Sequence, residues 1–267
     1  MKKTLFVLAL VLVSTAAAAQ DWAKTRLAAS PRHREWVKVK SGDRVVNAFV
    51  VYPEVKSKAP AVVVIHEIFG MTDWVQLLAD EVAEAGSIAI APDLLSGVTL
   101  PAGDANAVGK AIRDLPPDQI TADLNATADY VAKLPAANGK VAVGGFCWGG
   151  TQSFRFATNR PSLSAAYVFY GTGPDDVSAI KAPVYGFYAG LDARVGATVP
   201  KTQELMKAAG KTYDVVTYEG AGHGFMRAGD APPPPADADQ KARDAYAGNK
   251  KARDEAWKRW KGLLGKL

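Results

Sequence analysis

The chain has 267 residues, 48% of them hydrophobic and 22% charged, with 32 Lys and Arg against 27 Asp and Glu. A net charge of +5 with no basic stripe interleaved with aromatics argues against nucleic acid as a partner. One cysteine and three histidines exclude a metal centre built from several thiolates, and no metal or cofactor is expected.

Lys2-Lys3, the apolar run Leu5 to Val13 and the alanines Ala16 to Ala19 have the order of a secretory signal, too short to span a bilayer. Residues 1–19 are therefore expected to be removed on export, leaving a chain that begins near Gln20 and carries +3 once Lys2 and Lys3 are gone. No cysteine lies near the cleavage site for lipid attachment, and no later run is apolar and long enough to cross a membrane. The expected product is a periplasmic or secreted monomer, free of the membrane. Residues 20–267 read as one domain, with no internal repeat. The one low-complexity run, Ala231 to Ala236 with four prolines, reads as a stiff surface connection into the last helix.

In chain order, Val45 to Tyr52 and Ala61 to Ile65 read as strands, followed by a helix from about Asp73 to Ala85. Ser87 to Ala91 is a short apolar strand, and Asp118 to Leu134 has helical spacing at Ile120, Leu124, Ala128 and Val131. Lys140 to Phe146 is a strand entered from the Asn138-Gly139 turn, and Thr151 to Thr158 suits a helix. Next come strands at Ala165 to Tyr170, Val184 to Tyr188 and Tyr213 to Tyr218, with a helix near Lys201 to Ala209 between the last two. The final helix carries Trp257, Trp260, Leu264 and Leu267 on one face. Strands apolar on both faces and alternating with helices predict an α/β fold with a mostly parallel sheet covered on both sides. Ligands of such sheets bind outside the carboxyl ends of the strands.

The only cysteine, Cys147, stands at one of those ends, in the run VAVGGFCWGG. Its G-x-C-x-G setting fits a tight strand-to-helix corner, where glycines admit close backbone approach. A buried, inert cysteine is the bland alternative. A reactive thiol needs a base, and the base needs a carboxylate to hold its ring. His33 lies in a polar run and reads as a surface residue; His66 ends a strand and reads as shaping its loop. His223, in the glycine-rich GAGHGF after a strand, is the candidate base. Asp192, after the strand Val184 to Tyr188, is the candidate acid, with Asp93 of APDLL the runner-up. The order Cys147, Asp192, His223 is that of nucleophile, acid and histidine in α/β-hydrolases.

GGFCWGG, HEIFG, APDL, FYG, AGLDARV and GAGHGF together resemble the dienelactone hydrolases (carboxymethylenebutenolidases), a cysteine branch of the α/β-hydrolase fold. The resemblance runs from about Val45 to the final helix. It implies a Cys147, Asp192, His223 triad, Glu67 as the carboxylate that meets the resting thiol, and the backbone N–H groups of Ile68 and Trp148 as an oxyanion hole. It further implies that Arg227 and Tyr170 contact the substrate. Arg113 is the candidate for a second arginine in the segment Leu94 to Pro117.

At a helix start, unsatisfied N–H groups favour a thiolate. Sulfur attack on a carbonyl gives a thioester, and a thiolate leaves the tetrahedral intermediate more readily than an unprotonated amine. The expected substrates are therefore small esters or lactones with good leaving groups, carboxylate-bearing where an arginine is present to hold them. A single-thiol redox protein and a non-catalytic binding module on a hydrolase scaffold are the other classes the residues allow.

Overall fold

A computed structural model describes residues 21–267; the expected export signal lies outside them. Eight strands form one sheet in the order β1-β2-β4-β3-β5-β6-β7-β8. These are β1 (Arg34–Ser41), β2 (Arg44–Val51), β3 (Ala59–Ile65), β4 (Ile88–Pro92), β5 (Ala137–Phe146), β6 (Ala166–Phe169), β7 (Val184–Ala189) and β8 (Tyr213–Tyr218). β1 and β2 pair with each other antiparallel, and β2 pairs antiparallel with β4; every other pairing is parallel. The helices are α1 (Asp73–Glu84), α2 (Ala105–Arg113), α3 (Pro117–Ala132), α4 (Trp148–Asn159), α5 (Ala193–Gly196), α6 (Val199–Ala208) and α7 (Gln240–Leu264). Residues 21–28 are also helical, and Phe225–Ala228 form a 3-10 turn.

Alternation along the strands explains why both faces are covered. In β3, Val62 and Val64 point into one core while Ala61, Val63 and Ile65 point into the other, and all five are fully buried. The first core lies under α1 and α7 and holds Trp74, Phe146, Phe169, Phe225 and Trp260. The second lies under α3, α4 and α6, with Leu124, Val131, Phe154 and Met206. Local signals set the helix starts. The Thr72 side chain caps α1 by accepting from the Val75 N–H, and Pro117, whose missing N–H costs nothing there, begins α3.

Five elements of the structure go beyond those expected from the sequence: the helix at residues 21–28, β1, α2, α5 and the 3-10 turn. β1 has the mostly polar run REWVKVKS and is the antiparallel edge strand, with only Val39 and Ser41 buried. α2 lies inside the segment Leu94 to Pro117 and is capped by the Asp104 carboxylate, which accepts from Asn106 and Ala107 N–H. β5 also starts earlier than Lys140, absorbing Asn138 and Gly139. Leu267 falls beyond the end of α7, while Trp260 and Leu264 are buried as their spacing requires. Among the described residues no helix is long and apolar enough to cross a membrane.

Candidate active site at the carboxyl edge of the sheet

β5 lies between β3 and β6, so its carboxyl end at Phe146 is held from both sides. Cys147 comes next, with φ 56° and ψ −117°, a conformation L-residues rarely adopt and one worth about 1–3 kcal/mol of strain. The chain must turn that sharply because α4 begins at once, at Trp148. Two glycines make the turn possible. A Cβ on Gly145 would sit 1.9 Å from the Gly149 carbonyl oxygen, and one on Gly149 would sit 2.4 Å from the His66 carbonyl oxygen. The Cys147 N–H donates to the Phe169 carbonyl, which anchors the corner to β6.

Asp192 comes after β7 and uses both of its oxygens. Oδ1 accepts from the Val195 N–H and caps α5, while Oδ2 lies 2.5 Å from His223 Nδ1. The capping role and the histidine-holding role thus coexist in one buried carboxylate. The His223 loop is stitched in place from two directions: the Leu191 N–H donates to the Ala221 carbonyl, and the Gly222 N–H to Asn249 Oδ1 of α7. The Tyr170 ring meets the imidazole edge-on, with centroids 5.0 Å apart. His223 Nε2 is left buried with no hydrogen-bond partner. Nδ1 held by a carboxylate and Nε2 free is the state a proton acceptor needs.

Asp93 is not joined to His223. Its carboxylate accepts from the Leu95 N–H and shapes the turn after β4. His66 is fully buried, with Nδ1 2.8 Å from the Glu67 carbonyl and Nε2 accepting from the Leu94 N–H. That pairing requires the neutral ring with its proton on Nδ1, and burial lowers its basicity accordingly. Stacked on Trp148, it ties the HEIFG loop to the loop after β4. His33 is 69% exposed at its side chain, beside Glu35 and Tyr52.

Glu67 is buried at the same edge. Its Oε2 is 3.4 Å from Arg227 Nε, and its Oε1 has no hydrogen-bond partner. Burial raises its carboxyl above the ordinary range, against the opposing pull of Arg227 and His223. Burial also pushes the Cys147 thiol up, and the Glu67 charge pushes it further; the Trp148 N–H, Arg227 and Arg194 pull the other way. The helix-start effect expected from the sequence is present, and it loses. The balance of these influences favours the neutral thiol.

Neither Ile68 nor Trp148 donates its N–H to a backbone acceptor among the described residues. Arg227 lies on the 3-10 turn, its guanidinium 5.3 Å from the centre of the Phe69 ring. Tyr170 is 1% exposed, beneath His223 rather than at the mouth of the site, with its own strained φ of 41°. Arg113 is exposed on α2 and folds back over Gly109, beside the Ile68 carbonyl. Arg194, whose charge acts on the thiol, is a residue that the sequence does not single out. It is exposed at the second position of α5, two residues after Asp192, and that adjacency is the signal that could find it.

Residues 46–267 match the dienelactone hydrolase family. Two proteins named "putative carboxymethylenebutenolidase" are similar to the chain. The one from Methylorubrum extorquens is 31% identical over 206 residues, which cover 71% of each chain. The one from Yersinia pestis is 32% identical over 186 residues, 62% of this chain and 68% of its own. Among solved structures, a Klebsiella pneumoniae protein named "putative dienelactone hydrolase" matches with a TM-score of 0.73 at 25% identity, over 89% of this chain and all of its own. An esterase from Pyrobaculum calidifontis, 17% identical, shares the fold alone, with a TM-score of 0.64 over 95% of this chain and 92% of its own. The chain belongs to the dienelactone hydrolase family and is a hydrolase with the α/β-hydrolase fold.

Proposed function

We propose that the protein cleaves lactones or carboxylic esters through a thioester on Cys147, with His223 as base and Asp192 as its orienting acid. The observation that carries this reading is the imidazole itself. One nitrogen is held 2.5 Å from a buried carboxylate and the other is buried without a partner, at the sheet edge where the cysteine corner stands. In the first half-reaction His223 Nε2 takes the thiol proton and the sulfur attacks the carbonyl carbon. The oxyanion is received by the N–H groups of Ile68 and Trp148, neither of which has a backbone acceptor to give up. Collapse breaks the C–O bond, and the imidazolium returns its proton to the departing alkoxide or enolate. Water, deprotonated by the same imidazole, then hydrolyses the thioester and releases the thiol.

The neutral resting thiol makes substrate charge part of this reading. A carboxylate on the substrate would compete for Arg227, whose hold on Glu67 is a single 3.4 Å contact. Glu67 would then move from the sulfur, and the thiol would be free to lose its proton to His223. Anionic lactones are the substrates that fit, and the names of the relatives, carboxymethylenebutenolidases, are consistent with that class. The test is turnover of a panel of lactones and aryl esters, with and without a carboxylate. Intact-protein mass after rapid acid quench should show an acyl adduct that maps to Cys147. Hydrolysis with no adduct, and unimpaired hydrolysis by Cys147→Ala, would refute the nucleophile.

A further inference from the structure

Residues 21–28 precede the span that matches the family, yet they reach the turn that carries Arg227. Two contacts do this. A Cβ on Gly229 would sit 2.3 Å from Cη2 of Trp22, so the indole rests directly on that glycine backbone. Arg26 Nη1 lies 2.7 Å from Asp230 Oδ2. Gly229 and Asp230 are the two residues immediately after the 3-10 turn Phe225–Ala228. The same Arg26 nitrogen is 2.9 Å from Glu81 Oε1 of α1, and Glu81 is gripped from the other side by Arg253 of α7. The short helix is itself seated, with Ala23 and Leu27 in the core.

The Arg227 guanidinium folds back over Gly224 of its own turn, where an added Cβ would sit 2.4 Å from Nη2. Its Nε is buried without a hydrogen bond, and it has the 3.4 Å approach to Glu67 and the face of Phe69. Where its guanidinium points is therefore set by the backbone of the turn. Two hydrogen bonds hold that backbone, one within the turn and one from α7: the Arg227 N–H donates to the Gly224 carbonyl, and the Tyr246 hydroxyl to the Ala231 carbonyl. The support for Gly229 and Asp230 comes from Trp22 and Arg26.

We infer that Trp22 and Arg26 are positioning residues for Arg227, so that the N-terminal helix sets the enzyme's preference for anionic over neutral substrates. This rests on the reading of Arg227 as the residue that receives the substrate carboxylate. The Asp230 carboxylate is exposed and its pair with Arg26 is worth little stability, and Glu81 keeps Arg253 when Arg26 is removed, so the expected signature is in selectivity more than in folding. A misplacement of a charged fork by a fraction of an ångström weakens the carboxylate contact and leaves the chemistry on a neutral ester alone.

The experiment uses the full chain and a matched pair of aryl esters, one bearing a carboxylate and one neutral. Trp22→Ala is expected to raise KM for the anionic ester about three- to tenfold, with kcat and the neutral ester little changed. Arg26→Ala is expected to do the same to a smaller extent, Arg26→Lys to restore part of it, and either suffices if Trp22→Ala folds poorly. The deciding arm repeats both substitutions in an Arg227→Ala background, where they should no longer alter the ratio between the two esters. Equal losses on both esters, or a selectivity change that persists without Arg227, would overturn the inference. If Arg227→Ala itself leaves the ratio unchanged, the underlying reading of Arg227 fails, and that result is separately visible.

Discussion

Two glutamates, Glu67 and Glu81, are each 3% exposed and each faces an arginine, and they are handled in opposite ways. Glu81 receives Arg253 through both oxygens, at 2.8 and 2.7 Å, and Arg26 at 2.9 Å. Glu67 has one long contact to Arg227 and a bare oxygen. Burying a carboxylate is costly unless its hydrogen bonds are made good. Where they are, the pair joins three parts of the fold: the N-terminal helix, α1 and α7. Where they are not, as at Glu67, one long contact is all that offsets the burial. The incomplete pair stands beside a strained cysteine and an unpartnered imidazole nitrogen. Incomplete satisfaction thus separates Glu67 from Glu81, although it is not confined to the site edge: Asp123, buried 3.5 Å from Arg44, also has both oxygens without a hydrogen bond.

The largest expected effect lies at that edge and leaves the fold alone. His223→Ala should lower kcat/KM on a good ester by roughly 10^2- to 10^4-fold, while Tm stays within a few degrees of wild type. A variant that lost stability in proportion to activity would erase the contrast with Glu81. The converse change is Glu81→Ala, which leaves Arg253 buried without its partner and should cost about 3–5 kcal/mol in denaturant unfolding. The surviving folded fraction should turn over a neutral ester at the wild-type rate. A fall in that rate with no loss of stability would move Glu81 into the functional group. A smaller effect sharpens the role of Arg227. Its replacement by Ala should weaken catalysis on an anionic lactone by roughly 10- to 100-fold, the worth of a charge-assisted contact of about 1.5–3 kcal/mol, and spare a neutral aryl ester. Steady-state kinetics on the two substrates reads this directly.

Much of this arrangement can be read along the chain. Cys147 and Asp192 follow apolar runs that become the central strands β5 and β7, and His223 follows β8, an edge strand still marked by its valines and tyrosines, so their shared edge is legible from strand ends alone. The parallel sheet is legible for the same reason. β1 is not, because an edge strand needs no apolar run and Glu35, Trp36 and Lys38 all face solvent. α2 is hidden by the glycines, prolines and aspartates of the segment around it, Leu94 to Pro117, which reads as loop unless the Asp104 cap is noticed. The choice between Asp192 and Asp93 rests on a contact between residues far apart in sequence. So do the supports of the His223 loop, Gly248 and Asn249 on α7, and those of Arg227, Trp22 and Arg26 at the other end of the chain. Composition carries no trace of such pairings; they exist only once the chain has closed.

On the proposed reading, Glu67 adds to burial in keeping the Cys147 thiol protonated at rest. Burial is the larger cause of the raised thiol pKa and Glu67 the second. Glu67→Gln therefore removes one of the two and should lower the pKa part of the way, because the burial remains. Thiolate is the reactive form, and a lower pKa means more of it at a given pH. The measurement is the rate of iodoacetamide alkylation of Cys147 against pH in both proteins. The account predicts that the Glu67→Gln profile rises at lower pH than wild type and that its rate is higher at pH 7. Stability should stay within about 1 kcal/mol of wild type, since Arg227 is only partly paired to begin with. Two overlaid profiles, or a shift to higher pH, would contradict it.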